Sequence, residues 1–196
     1  MAHSTVSLVC SKCAQAFEAE SYTSVNVDEN PELKARVMNG SLFLHECPHC
    51  GTLNLARGTM LYHDPAQKLL ICLSDRDLSA TEVPEGYVCR LVSEVGALIE
   101  KVKIFDAGLD DIAIELCKYV TRMELGKDVD LKFFGAGGAD GEITLTYPSE
   151  GKMEMLAIGY NVYRDSLAIL SRNPILHEKA TGLCKVDGIW LKQFIG

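Results

Sequence analysis

CSKC at residues 10–13 and CPHC at residues 47–50 decide how the first part of this chain folds. Both motifs have the C-x₂-C spacing, and 33 residues separate them. Two residues between cysteines let one tight turn aim both sulfurs at a single ion, and two such turns complete the tetrahedral four-sulfur shell that zinc favours. We therefore predict that one structural zinc ion is bound by Cys10, Cys13, Cys47 and Cys50.

The predicted metal site has no open coordination position for a reaction. Four protein sulfurs leave no coordination position for water or substrate, which indicates a structural metal rather than a catalytic one. Four thiolates also leave a formal charge of about −2 around Zn²⁺, so nearby hydrogen-bond donors matter. Lys12, His45 and His49 are placed to supply them. Gly51 follows the last cysteine, where the backbone of such a turn must bend sharply.

Other roles for these cysteines remain open. A C-x₂-C motif can be a thioredoxin-like redox pair, but that pair should open a helix after a strand, and here the second motif is followed by Gly51 and β-like sequence. Buried free thiols and an iron centre are further alternatives. With four cysteines available, we expect His45, His49 and His63 to lie beside the site or at the surface. Four more cysteines show no pairing pattern and are predicted to be small buried apolar residues: Cys72, Cys89, Cys117 and Cys184.

The sequence around the cysteines predicts a β-rich domain with one helix inserted. Asn30-Pro31-Glu32 is typical of a helix start, and Asn39-Gly40 of a helix end. Strands are predicted at residues 17–27, 41–46, 52–56, 59–62 and 68–73, with a turn at residues 63–67.

In the remainder of the chain, the spacing of apolar residues changes twice between a helical and a strand period. Apolar residues at helical spacing predict a helix over residues 87–102, and Asp110 is predicted to cap a second one, so the two form a helical hairpin. Short strands are predicted at residues 131–134, 142–147 and 153–158, a helix at 161–170 and a final apolar element at 188–195. The glycine-rich tract at residues 135–141 opens onto a strand rather than a helix, which favours a hairpin loop over a phosphate cradle.

Composition describes a soluble globular protein, with 47% hydrophobic and 23% charged residues among 196. The net charge of −8 leaves no large basic face, which argues against nucleic acid. The first residues lack the basic region of a signal peptide, and no apolar run reaches the roughly 18 residues of a membrane span. We expect a cytoplasmic protein without membrane contact, whose eight cysteines are thiols or metal ligands.

Several stretches resemble the CpXC family. They are the paired cysteine motifs, VNVD at residues 25–28, NPEL at 30–33, LYHDP at 61–65 and LIEKVKIFDAGLDD at 98–111. The last is similar to the helical extension of longer members, and the resemblance covers residues 8–124. It implies a bacterial zinc-binding domain with no established activity. Ser11 and Ala14 stand where the family has proline and glycine. Both residues are compatible with a zinc-binding turn, but the resemblance implies that they weaken the turn facing the sulfurs.

The predicted fold class is α+β, in four parts. Residues 1–73 form a CpXC zinc-ribbon-like β domain with an inserted helix, and residues 74–86 form a linker. Residues 87–125 form the helical hairpin, and residues 126–196 form a small C-terminal α+β region.

For function, the sequence favours a binding or scaffold module with a protein partner that it does not identify. One alternative is an enzyme with its site remote from the zinc, using His63 and Asp64, or Asp110 and Asp111 with Glu115. Each has a plainer interpretation, as a capped turn or as a helix N-terminus, and no nucleophile elbow, metal-hydrolase helix or phosphate loop is present. The other alternative is a nucleic-acid-binding ribbon with a basic patch around Lys12, Lys34, Arg36 and Arg57.

Overall fold

Strands and helices are mixed along the chain in the order expected of an α+β protein. A computed structural model describes residues 2–78, 80–137 and 141–195, and within them it has six α-helices. The chain divides into two units, Met1–Ile99 and Glu100–Gly196. None of the described helices is both long enough and apolar enough to span a membrane.

The first unit is rich in β-structure. Its strands are β1 (Ala2–Val9), β2 (Ala16–Asn26), β3 (Leu44–Glu46), β4 (Leu53–Leu55), β5 (Met60–Asp64), β6 (Leu69–Leu73) and β7 (Val88–Val92). Its helical elements are α1 (Pro31–Met38), a 3-10 turn (Ser41–Phe43) and the start of α2 (Val95–Asp106). Residues 74–78 and 80–87 contain neither helix nor strand.

Pairing of these strands places both cysteine motifs at hairpin ends. In the main sheet the strands follow the order β1-β2-β5-β6-β7. The pairs β1–β2 and β5–β6 are antiparallel, while β2–β5 and β6–β7 are parallel. β3 and β4 form a separate antiparallel hairpin. The CSKC motif lies in the β1–β2 connection and the CPHC motif in the β3–β4 connection.

Helix α1 begins and ends where the sequence predicts. Asn30 occupies the N-cap position and Pro31 the first turn, although the Asn30 side chain makes no capping hydrogen bond. The helix buries Leu33 and Val37, and the chain leaves it through Gly40, whose φ of 79° is readily adopted by glycine.

The second unit contains α3 (Asp111–Leu125), β8 (Lys132–Gly137), β9 (Glu142–Ser149), β10 (Lys152–Ile158), α4 (Tyr160–Arg172), α5 (Ile175–Lys179), β11 (Leu183–Cys184) and α6 (Gly188–Lys192). β10, β9 and β8 form an antiparallel sheet in that order. Its core contains Ile112, Ile143, Leu145 and Leu170, all 2% exposed or less. Asp110 caps α3 as predicted, accepting hydrogen bonds from the backbone N–H groups of Ile112 and Ala113.

The prediction of a helix over residues 87–102 is wrong in its first half. Strand β7 occupies Val88–Val92, in parallel register with β6, and α2 begins only at Val95. Cys89 therefore lies on a strand and not on a helix. Periodicity alone cannot distinguish a short, doubly buried strand from a turn of buried helix, which explains the error.

The other elements differ less from those predicted from the sequence. The predicted strand at residues 41–46 is a 3-10 turn followed by β3, and β1, α5 and β11 were not predicted. The glycine-rich loop includes residues 138–140, which lie outside the described part of the chain. The strands on either side of it, β8 and β9, pair with each other as a hairpin would require.

Candidate metal centre

The first cysteine motif is held by two backbone hydrogen bonds. The N–H of Cys10 donates to the carbonyl oxygen of Gln15 at 2.9 Å, and the N–H of Ala14 donates to the carbonyl oxygen of Cys10 at 3.0 Å. Together they close a tight turn around Lys12 and bring the side chains of Cys10 and Cys13 to the same side.

The second motif repeats this turn. The N–H of Cys47 donates to the carbonyl oxygen of Thr52 at 2.9 Å, and that of Gly51 donates to the carbonyl oxygen of Cys47 at 2.9 Å. The residue after the second cysteine has a left-handed backbone in both turns, with φ of 58° at Ala14 and 72° at Gly51. The two motifs are thus equivalent in backbone structure as well as in spacing.

The two turns bring four sulfurs together. Cys10 Sγ lies 3.5 Å from Cys50 Sγ, and Cys13 Sγ lies 3.7 Å from Cys47 Sγ. All four Sγ atoms lie within 4.8 Å of one another. Four sulfurs at about 2.3 Å from a tetrahedral zinc are about 3.8 Å apart, so the spacing fits such an ion. The four cysteines could hold a metal ion, and they are free rather than disulfide-bonded.

Hydrogen-bond donors and acceptors surround these sulfurs. The backbone N–H of Lys12 lies 3.4 Å from Cys10 Sγ, and Asn54 Nδ2 lies 3.7 Å from the same sulfur. Thr52 Oγ1 lies 3.4 Å from Cys50 Sγ. Such contacts offset the negative charge of a thiolate cluster and fix the orientation of each sulfur.

Asn54 joins the two cysteine turns. Its Oδ1 accepts the backbone N–H of Ser11 at 2.9 Å and the Ser11 hydroxyl at 3.2 Å. Its Nδ2 also donates to the carbonyl oxygen of Thr52 at 2.8 Å. The side chain is buried, and it lies on a strand of the hairpin that carries the other turn. Proline at position 11 would have no N–H for this bond, so serine supplies a contact that proline could not.

Hydrogen bonds and desolvation shift the pKa values of three of the four clustered thiols in different directions. Backbone N–H groups of Cys13 and Lys12 lower the pKa of Cys10 to about 6. At Cys13 the N–H of Gln15 favours the thiolate, but desolvation and the neighbouring cysteines outweigh it and raise the pKa to about 12. Contacts with Thr52 lower the pKa of Cys50. A bound divalent cation would remove the repulsion between neighbouring thiolates.

The donors predicted from the sequence are only partly those observed. Lys12 contributes its backbone N–H and not its ammonium group. Within the described residues, neither His45 nor His49 hydrogen-bonds a cysteine sulfur, and the buried Nε2 of His45 has no hydrogen-bond partner. His63 Nε2 lies 3.4 Å from the Tyr87 hydroxyl. The contacts of Asn54 and Thr52 were not predicted.

The residues considered for catalysis have structural partners instead. Asp64 is buried and accepts hydrogen bonds from Lys34 Nζ at 3.2 Å and from the backbone of Gln67 at 3.1 Å. One carboxylate oxygen of Asp110 caps α3. The other lies 2.8 Å from His177 Nε2. These contacts match the plainer interpretation of each residue.

Asp111 and Glu115 belong to a buried ionic network in the second unit. Lys101 Nζ donates to Asp111 at 2.8 Å, and Lys118 Nζ donates to Glu115 at 2.8 Å and to Glu100 at 3.0 Å. All five side chains are 7% exposed or less. Burial alone would lower the pKa of Lys118, but the charges of Glu100 and Glu115 outweigh it and raise the pKa.

The remaining cysteines lie apart from the cluster. Cys72, Cys89 and Cys117 are buried, and burial raises the pKa of each thiol. Cys184 is half-buried. The expectation of small buried residues is met by the first three.

Comparison with known proteins gives one family. The family model described as CpXC protein matches residues 8–118, more than half of the chain. The matched region contains all four clustered cysteines and ends at Lys118 of the buried network. Searches of the curated proteins and of the solved structures found no match.

Proposed function

The chain belongs to the CpXC family, and we propose that its four clustered cysteines bind one structural Zn²⁺ ion that stabilises a binding or scaffold module. The observation that carries the proposal is the approach of four sulfurs to within 4.8 Å of one another on two equivalent turns. A cation at this position would connect the β1–β2 and β3–β4 hairpins.

A structural role follows from the donor set. Four thiolates complete the coordination shell, so the ion has no position for a water or a substrate. Cys10 and Cys47 are only 2% and 1% exposed, which further restricts access. Iron accepts the same four sulfurs, but paired C-x₂-C motifs on β-hairpins are typical of zinc ribbons, and zinc is therefore the metal that we propose.

The β1–β2 and β3–β4 hairpins depend on the metal because they bury few apolar side chains around the cysteines. Among the described residues, the buried cluster around the cysteines contains only Phe17 besides Cys10 and Cys47, with partly buried Leu8 and Ala19 packed against it. So small an apolar core stabilises a fold weakly. Structural zinc contributes about 10–16 kcal/mol in small zinc domains, enough to determine whether such hairpins fold.

Metal removal from the full chain tests this proposal. We expect a strong chelator to weaken the β-sheet circular dichroism of the first unit while the helical signal of the second unit largely remains. An unchanged spectrum in a sample verified to be metal-free would contradict a structural role. Cys47→Ser should lose the metal, whereas Cys184→Ser, which changes a half-buried cysteine outside the cluster, should retain it.

The partner that we propose is a protein, bound in the reducing cytoplasm that suits eight free cysteines. The net charge of −8 supports a protein over nucleic acid, whose binding depends on neutralising phosphates. The pairing of Lys34 with Asp64 points the same way, because it leaves one cation fewer for a basic patch.

A further inference from the structure

We infer that the first unit binds a protein segment in which apolar side chains stand next to lysine or arginine. The site is a cavity of about 540 Å³ between the end of β4 and the start of α2. The inference rests on the proposed binding role and names the surface and the kind of partner that would serve it.

The cavity lies where two parallel strands end. β6 and β7 are parallel neighbours, so their carboxyl ends meet at the same edge of the sheet. Residues that follow each strand line the cavity, and helix α2 begins beside it. Ligands commonly bind at such an edge, outside the carboxyl ends of parallel strands. Leu55, Leu73 and Val95 provide apolar walls.

Three charged side chains line the same cavity without partners. In the part of the chain that the structure describes, no hydrogen bond or ion pair engages the side chains of Arg57, Asp75 and Glu94. All three side chains are exposed, so a ligand can reach their charges. Two carboxylates against one guanidinium give the cavity a net negative charge, which leaves capacity for a cation brought by a ligand.

Among the described residues, no other charged side chain lines the cavity. A lysine or arginine side chain is the complementary group on a protein partner.

An apolar surface leads into the cavity. Leu44, Leu53 and Leu55 share one face of the β3–β4 hairpin and are 40%, 59% and 43% exposed. Leu55 also lines the cavity, so the leucine face and the cavity are continuous. A compact small molecule would leave the leucine face uncovered, whereas a peptide segment could cover the leucine face and enter the cavity.

The opposite face of the same hairpin carries Asn54, which contacts the cysteine turns. A bound metal would therefore fix the strands that present the leucine face. This arrangement gives the structural metal a role in recognition without contact between metal and partner.

Selection from a phage-displayed library of random peptides against the zinc-loaded full chain tests the inference. We expect enriched peptides to combine apolar residues with lysine or arginine. Their affinity should fall by about tenfold or more in Leu53→Ser and in Glu94→Gln. Met153→Lys changes an exposed side chain of the second unit and should leave the affinity unchanged.

The inference is overturned if no peptide is enriched, if the enriched peptides lack basic residues, or if they bind both variants as tightly as the wild type. Zinc content measured on each protein keeps this result separate from the metal proposal. A wild-type chain without zinc would contradict the metal site, whereas a zinc-loaded chain that selects no peptide would contradict only the partner.

Discussion

Ala14 and Gly51 occupy the same left-handed backbone position in two equivalent cysteine turns, with φ of 58° and 72°. Each follows the second cysteine of its motif and donates its N–H to the carbonyl oxygen of the first. Glycine adopts this conformation without steric cost, whereas an L-residue with a Cβ does not. The first turn is therefore the strained member of the pair.

Replacing Ala14 by glycine should relieve this strain. We expect Ala14→Gly to raise the free energy of unfolding by about 1 kcal/mol, measured by denaturant titration of the metal-loaded chain. Gly51→Ala is the matched control and should lower it by about that amount, since its Cβ would have to adopt the same left-handed backbone, with φ of 72°. A loss of stability in Ala14→Gly would show that the turn is not strained.

Asn54 should control how firmly the metal is held. Asn54→Ala removes the acceptor for Ser11 and the donor to Cys10, and we expect metal affinity to fall by about 10–100-fold in competition with a chelator. Ser11→Ala removes only the hydroxyl and keeps the backbone N–H bond, so its effect should be smaller. Equal affinity of Asn54→Ala and the wild type would refute this role.

Substitution of Lys118 should destabilise the second unit more than most single substitutions. Lys118→Met leaves Glu100 and Glu115 buried without this cation, and we expect a loss of about 3–5 kcal/mol in the free energy of unfolding. Lys185→Met breaks an ion pair between half-exposed partners and should cost no more than about 1 kcal/mol. Similar losses of unfolding free energy in the two variants would show that burial does not make the Lys118 ion pairs more important than an exposed one.

The pH dependence of the contribution of Lys118 to stability follows from the direction in which its pKa is shifted. The pKa in the folded chain is raised above its ordinary 10.5, so the stabilisation is fully present below that value and is lost as pH rises through the folded-state pKa. The difference between the wild type and Lys118→Met should therefore stay constant from neutral to mildly alkaline pH. A marked change across that range, measured by unfolding at several pH values, would contradict this assignment.

The cysteine cluster was predictable because its geometry is local. Two residues between cysteines determine a turn, and two identical turns point to one tetrahedral ion. Asn54 was harder to find, since it reaches Cys10 across 44 positions and only the register of the β3–β4 hairpin brings it there. One signal was present: a single polar residue between Leu53 and Leu55, the reverse of the usual apolar-inside pattern.

The wrongly predicted helix and the unpredicted ionic network have equally specific causes. The run Val88–Val92 fits a buried strand or a turn of buried helix equally well, and pairing with β6 favours the strand. Acidic and basic residues on α2 and α3 are ordinarily assigned to solvent. Lys101 and Lys118 are buried because carboxylates on the same two helices pair with them, and such a network depends on packing that no local pattern records.

Metal analysis of the full chain, purified without added metal, tests the central claim most directly. Mass spectrometry of the metal content should find one zinc ion per chain, and this zinc should disappear in Cys47→Ser and persist in Cys184→Ser. A zinc content well below one per chain, or iron in its place, would contradict the assignment of Cys10, Cys13, Cys47 and Cys50 as a zinc site.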